Sequence, residues 1–200
     1  MTAAGTRGRP RSFDREAALG TATLLFWEHG YEATSIADLT AAMGIRPPSL
    51  YAAFGDKRAL FHEVVARYAA GPGDFVRRAL DEEPTVRRGI ARLLHEAASE
   101  YATPGRPAGC LAISAATNCT DAAVRASLRR LRTAGTENLE QRIARAVATG
   151  EEPGSTDPAA LARFVSAVLQ GMSQQARDGA TRQELELVAR TAVLAWPTPQ

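Results

Sequence analysis

Lysine is almost missing from this chain: Lys57 is the single one among 24 basic residues, and all the others are arginine. Histidine and cysteine are scarce too, three and two in 200 residues, and their placement excludes several chemistries. His29, His62 and His95 fall on separate predicted helices, and no HExxH, GxSxG or glycine-rich phosphate loop occurs, so no catalytic constellation, metal or cofactor is expected. Cys110 and Cys119 form no CxxC pattern, which argues against zinc and against a disulfide framework. On one helix they would face roughly opposite ways about 13 Å apart, too far to bridge. No apolar run reaches the roughly 18 residues that span a bilayer, and the N-terminus lacks the apolar stretch of a secretion signal, so a cytoplasmic protein without a membrane partner is expected. Clusters of Ile, Val and Thr are rare while Ala, Leu and Arg dominate, which favours an all-α chain. What is present, 45% hydrophobic and 6% aromatic residues, suits one sizeable core or two small domains. The net charge of +2 is too small to argue for a polyanion partner. Its distribution says more: Arg7, Arg9, Arg11 and Arg15 oppose only Asp14 at the start of the chain, where residues 1–12 have almost nothing to bury.

Residues 34–57 carry the clearest signal. Ile36, Leu39 and Met43 recur at i, i+3 and i+7 on one stripe of a short helix. Thr34 is the expected N-cap, with Asp38 near the positive helix end. Gly44 then turns the chain, since glycine enters the left-handed region without a Cβ clash. Pro47 and Pro48 start a second helix, where an absent amide costs nothing, and Arg46 is held extended before them. Leu50 and Phe54 face inward at i, i+4, leaving Arg46, Ser49, Tyr51 and Ala52 outward. Two turns of helix are unstable alone, so neighbours must hold this one and present it. The pattern is that of a helix-turn-helix, whose second helix enters a DNA major groove. A small helical hairpin in a bundle has the same local signature.

The stretch from Phe13 through Tyr68 resembles the DNA-binding domain of the TetR/AcrR family of bacterial transcription regulators. The resemblance rests on Gly30-Tyr31 ending the first helix, the Thr34-Ser35-Ile36-Ala37-Asp38-Leu39 entry, the Gly44-Ile45 turn, Leu50-Tyr51 with Phe54, and Lys57 opening the next helix. It implies an N-terminal three-helix DNA-binding domain followed by a C-terminal helical regulatory and dimerisation domain. Transferred onto matching positions, it implies Thr34, Ser35, Tyr51 and Lys57 on phosphates, with Arg46, Pro47 and Ser49 near base edges. A bidentate Arg46–guanine pair would contribute roughly 1 to 3 kcal/mol of discrimination. Pro47 and Pro48 depart from the small polar residues usual there and read best as helix starters. Arg9 and Arg11 belong to an Arg7-Gly8-Arg9-Pro10-Arg11 string that resembles an AT-hook core; minor-groove insertion and nonspecific phosphate binding both stay open.

The flanking helices complete the expectations. Asp14 caps a first helix running to about His29, with Leu19, Ala22 and Phe26 inside and Trp27 and His29 at its edge. Asp56 caps a connecting helix through Tyr68 that stops at Gly71-Pro72-Gly73. This sets a flexible basic arm at 1–12, the DNA-binding domain at 13–71 and a ligand-binding and dimerisation domain at 72–200. Further helices are expected over 74–80 and 85–101, at Gly109-Cys110-Leu111, over 121–148 with Val124, Leu128, Leu131 and Ile143 inside, and over 158–179 and 181–196. Glu151-Glu152 and Asp81-Glu82-Glu83 read as solvated charge. Leu161, Val165, Val168 and Met172, with Leu185, Val188, Ala192 and Trp196, are the expected homodimer face, though they could instead complete a monomeric core. Two recognition helices about 34 to 36 Å apart would read a palindromic operator in double-stranded DNA. A small-molecule effector is expected among helices 85–148, with His95, Tyr101, Cys110, Ser114, Asn118 and Met172 as candidate lining. Cys110, at a helix start, is expected either to have a lowered pKa suited to sensing or to be a buried structural thiol. The expected activity is a DNA-binding transcriptional regulator, a repressor released by its effector, and not an enzyme. The alternative is a helical ligand-binding or scaffold protein that does not read DNA.

Overall fold

The computed structural model describes residues 14–196, and among them every regular element is a helix. In chain order these are α1 (Arg15–Ala33), α2 (Ile36–Met43), α3 (Pro47–Phe54), α4 (Lys57–Ala70), α5 (Phe75–Asp81), α6 (Val86–Tyr101), α7 (Leu111–Ser114), α8 (Ala122–Ala148), α9 (Pro158–Arg177) and α10 (Arg182–Leu194). Side-chain caps start most of them. Asp14, Asp56, Thr85, Asp121, Asp157 and Thr181 accept first-turn amides of α1, α4, α6, α8, α9 and α10. The expected cap of α2 is displaced by one residue. Ser35, not Thr34, caps it, because the Thr34 hydroxyl is turned inward to donate to the Gly30 carbonyl at 2.7 Å. The RGRPR string, with Arg9 and Arg11, lies outside the described residues.

A first core gathers Phe26, Trp27 and Tyr31 of α1, Leu39, Leu50 and Phe54 of the α2–α3 pair, and Phe61 and Tyr68 of α4. Trp27, expected at the edge, is fully buried, its ring edge-on to Tyr68 with centroids 4.9 Å apart. Phe61 takes Phe26 and Tyr31 edge-on at 5.1 Å each. Such aromatic contacts stabilise beyond their buried area, by about 0.5 to 1.5 kcal/mol each. The core does not close within the first four helices: Leu111, Ala115, Cys119, Val124 and Leu128, from α7 and the start of α8, complete it.

Gly30 makes that closure possible. Its φ of 78° and ψ of 172° interrupt α1, and the freed amide of Tyr31 donates to the Ala115 carbonyl at 2.9 Å. A Cβ on Gly30 would meet that carbonyl at 3.3 Å. One residue on, the Glu32 carboxylate accepts both the amide and the hydroxyl of Thr120, at 2.9 and 2.7 Å.

The second core holds Phe75, Ile90, Leu94, Tyr101, Ile143 and the inner faces of α9 and α10. Several sequence expectations change here. Val165, Met172, Leu185, Ala192 and Trp196 are buried within the chain's own core, while Leu161, Val168 and Val188 are half-buried against it. The outward apolar residues of these two helices are Phe164, Leu187 and Leu194. Leu131 is partly exposed rather than interior. Glu152 is not solvated: its buried carboxylate accepts from Trp196 Nε1 at 3.1 Å and lies 3.6 Å from Arg87. Glu82 and Glu83 pair with Arg92, Glu83 also with Arg88, and Asp81 pairs with Arg142.

Candidate functional site

Residues 35–57 form the helix-turn-helix that the spacing predicts. Ser35 and Asp38 make a reciprocal capping box: the Asp38 amide donates to Ser35 Oγ at 3.1 Å, and the Ser35 amide donates to Asp38 Oδ2 at 2.9 Å. The same carboxylate accepts the Ser35 hydroxyl, and that bond holds Asp38 below the usual carboxylate range. Gly44 sits at φ 66°, ψ 32°, and Ile45 N–H returns to Thr40 O at 3.1 Å, so the turn is a left-handed helix cap. α3 has no side-chain cap, and Pro47 and Pro48 begin it as expected.

Leu50 and Phe54 anchor α3 from below, both buried. Arg46, Pro47, Ser49, Tyr51 and Ala52 all lie exposed on its other side, Tyr51 at 49% of its surface. An exposed tyrosine on an eight-residue helix serves no packing purpose. At the edges of this face, Ser35 is exposed and Lys57 is half-buried, its ammonium 4.3 Å over the Tyr31 ring. Burial lowers the Lys57 pKa, with Glu32 pulling the other way. Burial also pushes the Tyr31 phenol up to about 12. Thr34, by contrast, is buried and offers nothing to this face. Arg15 braces α3 from outside, its guanidinium 4.6 Å over the Phe54 ring and bonded at 2.7 Å to both oxygens of Glu63 on α4.

The opposite end of α4 reaches a cavity of ≈ 240 Å³ bounded by α4, α5, the end of α6, α7, α8 and α9. Its walls are chiefly apolar, with Phe75, Ile113, Leu139 and Leu169 among them. Of the six candidate lining residues, Tyr101 and Cys110 line it. His95 and Asn118 are exposed, Asn118 in the α7–α8 turn at φ 59°. Met172 is enclosed by the second core, and the Ser114 hydroxyl is bonded to the Cys110 carbonyl at 3.0 Å. Of the two thiol states expected for Cys110, the surroundings fit the unactivated one. Burial pushes the Cys110 pKa up, the Tyr68 hydroxyl pulling against it, because the four-residue α7 is too short to offset desolvation. Tyr68, Thr136 and Ser166 were not anticipated. Tyr68 closes the inner stripe of α4, and that continuation past the DNA-facing end was its one sequence signal. Thr136 and Ser166, hydroxyls 2.9 Å apart, face one another across α8 and α9, which only the packing reveals.

The comparisons with known proteins agree with this layout. Residues 18–64 match the family model for bacterial regulatory proteins of the tetR family, and residues 86–192 match that for the tetracyclin repressor-like C-terminal domain. The chain is 39% identical to the HTH-type transcriptional repressor ComR of Escherichia coli (strain K12), over 96% of this chain and 93% of that protein. It is 32% identical to the HTH-type transcriptional repressor BdcR of the same strain, over 94% and 90%. Among solved structures it resembles a cysteine mutant of the TetR family regulator CifR complexed with 26-bp double-strand operator DNA. That match has a TM-score of 0.89 and 43% identity, over 94% of this chain and 100% of the other. A putative TetR transcriptional regulator from Rhodococcus sp. RHA1 follows with a TM-score of 0.61 and 36% identity, over 92% and 100%.

Proposed function

The chain belongs to the tetR family of bacterial transcriptional regulators, and from that premise we propose that it is a dimeric repressor whose α3 reads a palindromic operator and which a small molecule in the α4–α9 cavity releases. The observation that carries this reading is the outward face of α3. Arg46, Pro47, Ser49 and Tyr51 have no packing role, while Leu50 and Phe54 lock the helix from behind. Ser35 and Lys57 flank that face and fix its register on phosphates, and Arg46 reaches base edges. Thr34 drops out of the contact set because its hydroxyl is held by Gly30. Arg9 and Arg11 add grip on the minor groove or on neighbouring phosphates. The relatives named as repressors and the operator-bound neighbour support both the DNA partner and the direction of regulation.

The dimer forms through the outward sides of α9 and α10, where Phe164, Leu187 and Leu194 await cover. Release works through Tyr68. It is the last buried residue of α4, it borders the cavity, and its ring abuts Trp27 of α1. A ligand that displaces Tyr68 shifts α4 against α1 and changes the separation of the paired recognition helices.

Fluorescence anisotropy with the flanking promoter DNA, titrated in salt, tests the reading. Tyr51→Ala and Arg46→Ala should each weaken binding with the fold intact, Arg46→Ala by about 1 to 3 kcal/mol. Equal binding by these variants and the parent would refute the contact assignment. Absence of any salt-dependent binding by the parent would favour a helical ligand-binding protein that does not read DNA.

A further inference from the structure

Arg132 borders two sites at once. It lines the apolar cavity, and it also lines a groove of ≈ 490 Å³ between the turn after α7 and the first half of α8. The groove floor is small, made of Ala116, Ala122 and Ala126, and its rim carries Arg125 and Arg129. The spacing i, i+4, i+7 sets Arg125, Arg129 and Arg132 on one side of α8. Among the described residues, the side chains of Arg125 and Arg129 have no carboxylate and no hydrogen-bond partner. Arg77, Arg92, Arg142 and Arg182, by contrast, have acidic partners. The Asp121 carboxylate at the start of α8 is occupied by the Ala123 and Val124 amides. No further acidic residue occurs on α8 until Glu137, which borders a separate depression with Arg129 and Arg130.

Like charges at this spacing repel one another weakly, and an anion seated among them would relieve that repulsion. Arg132 is already oriented for one. Its Nη1 donates to the Ala112 carbonyl at 2.8 Å, which fixes the guanidinium and leaves its other N–H groups to fork onto an oxyanion. The apolar cavity on the other side of Arg132 has no carboxylate in its lining, so its one formally charged group is the Arg132 guanidinium. At roughly 30 Å³ per water-sized atom, it has room for about eight non-hydrogen atoms.

We propose that cavity and groove together bind an amphiphilic acid, its apolar body in the cavity and its carboxylate or phosphate head on Arg132, Arg129 and Arg125. This rests on the reading of the cavity as the effector site. The acid group supplies specificity through charge-assisted hydrogen bonds, and the chain supplies most of the contact area with apolar walls.

Calorimetric titration of the full-length protein with octanoate, octyl phosphate, octanol and inorganic phosphate tests the proposal. One or both amphiphilic acids should bind at least about tenfold more tightly than octanol or phosphate alone, as loss of a charged hydrogen-bonded head predicts. Preference between octanoate and octyl phosphate then tells whether a free acid or a phosphorylated amphiphile is the natural form. Arg129→Gln changes an exposed side chain and should leave the melting temperature unaltered while lowering affinity for the preferred acid about tenfold; Arg132→Gln should lower it at least as much. Octanol binding as tightly as both acids, no binding by either acid, or unchanged affinity in both variants would overturn the proposal. Operator binding is measured separately by anisotropy. Acid binding without operator release leaves the amphiphile site standing and removes its effector role, whereas a protein that never binds operator fails the regulator reading alone.

Discussion

Two glycines in one loop allow a backbone effect to be separated from a packing effect. Gly105 and Gly109 have nearly the same left-handed φ, 82° and 76°. A Cβ at Gly105 would meet nothing within 4 Å, whereas at Gly109 it would lie 2.6 Å from the Ser173 carbonyl oxygen and 2.9 Å from Ser173 Oγ. That carbonyl belongs to the fully buried face of α9, so it has no room to retreat. The adjacent Cys110 amide donates to the same Ser173 hydroxyl at 2.9 Å, and the Gly109 amide donates to Tyr101 O at 2.9 Å, pinning the loop from both sides. Gly105→Ala therefore carries only the left-handed penalty of about 1 to 2 kcal/mol, less about 0.4 to 1 kcal/mol from a stiffer unfolded chain. Gly109→Ala carries the same terms plus overpacking of about 1 to 3 kcal/mol. Guanidinium unfolding at equal m-values should show the second variant less stable than the first by that last amount. Equal midpoints for the two variants would refute the contact between this loop and α9.

Acidification tests the capping carboxylates. Asp38, held low by the Ser35 hydroxyl, Asp121, by the Val124 amide, and Glu184, by the Thr181 amide, all have folded pKa values below their unfolded ones. Their contribution is therefore complete above the ordinary carboxylate value of about 4 and is lost as pH falls through the lowered folded values. Urea midpoints should hold from neutral pH down to about pH 5 and fall below about pH 4; a combined Asp38→Asn, Asp121→Asn, Glu184→Gln variant that falls just as steeply would disprove this source. Leu187→Arg with Leu194→Arg, at positions 56% and 84% exposed, should shift sedimentation from dimer to monomer without lowering helicity, and a persistent dimer would place the interface elsewhere. The half-buried Cys110 thiol, its pKa raised, should react with a disulfide reagent more slowly in the folded protein than in denaturant, as read in a Cys119→Ser background. Equal rates would contradict the raised pKa and restricted access of this thiol.

Local chemistry was legible in the sequence wherever it was settled within a few residues. Asp14 and Asp56 cap helices at the predicted positions, Gly44 turns left-handed, and Leu50 and Phe54 anchor α3. Thr34 and Ser35 are both competent caps, and a bond back to Gly30 decided between them, which spacing alone does not encode. The stripe on α9 is broader than one partner requires, so periodicity identified apolar residues without telling which side met the core. Trp27 and Glu152 were misjudged for another reason. Their surroundings come from residues distant in the chain, Tyr68 and Trp196, and a tryptophan or glutamate in isolation defaults to edge or surface. The cavity was the least legible part, because its lining draws a few residues from each of six helices spread over 100 positions of the chain.

The closure of the first core by α7 and the start of α8 bears on how such regulators can be recombined. A graft that exchanges the leading helices between two family members at the Gly71–Gly73 break would strand Leu111, Ala115, Val124 and Leu128 against a foreign surface and leave Phe26 and Phe61 without their lid. The exchangeable unit in this chain is discontinuous: the reading head must travel with residues 111–128, including the Thr120 that Glu32 holds from 88 positions away.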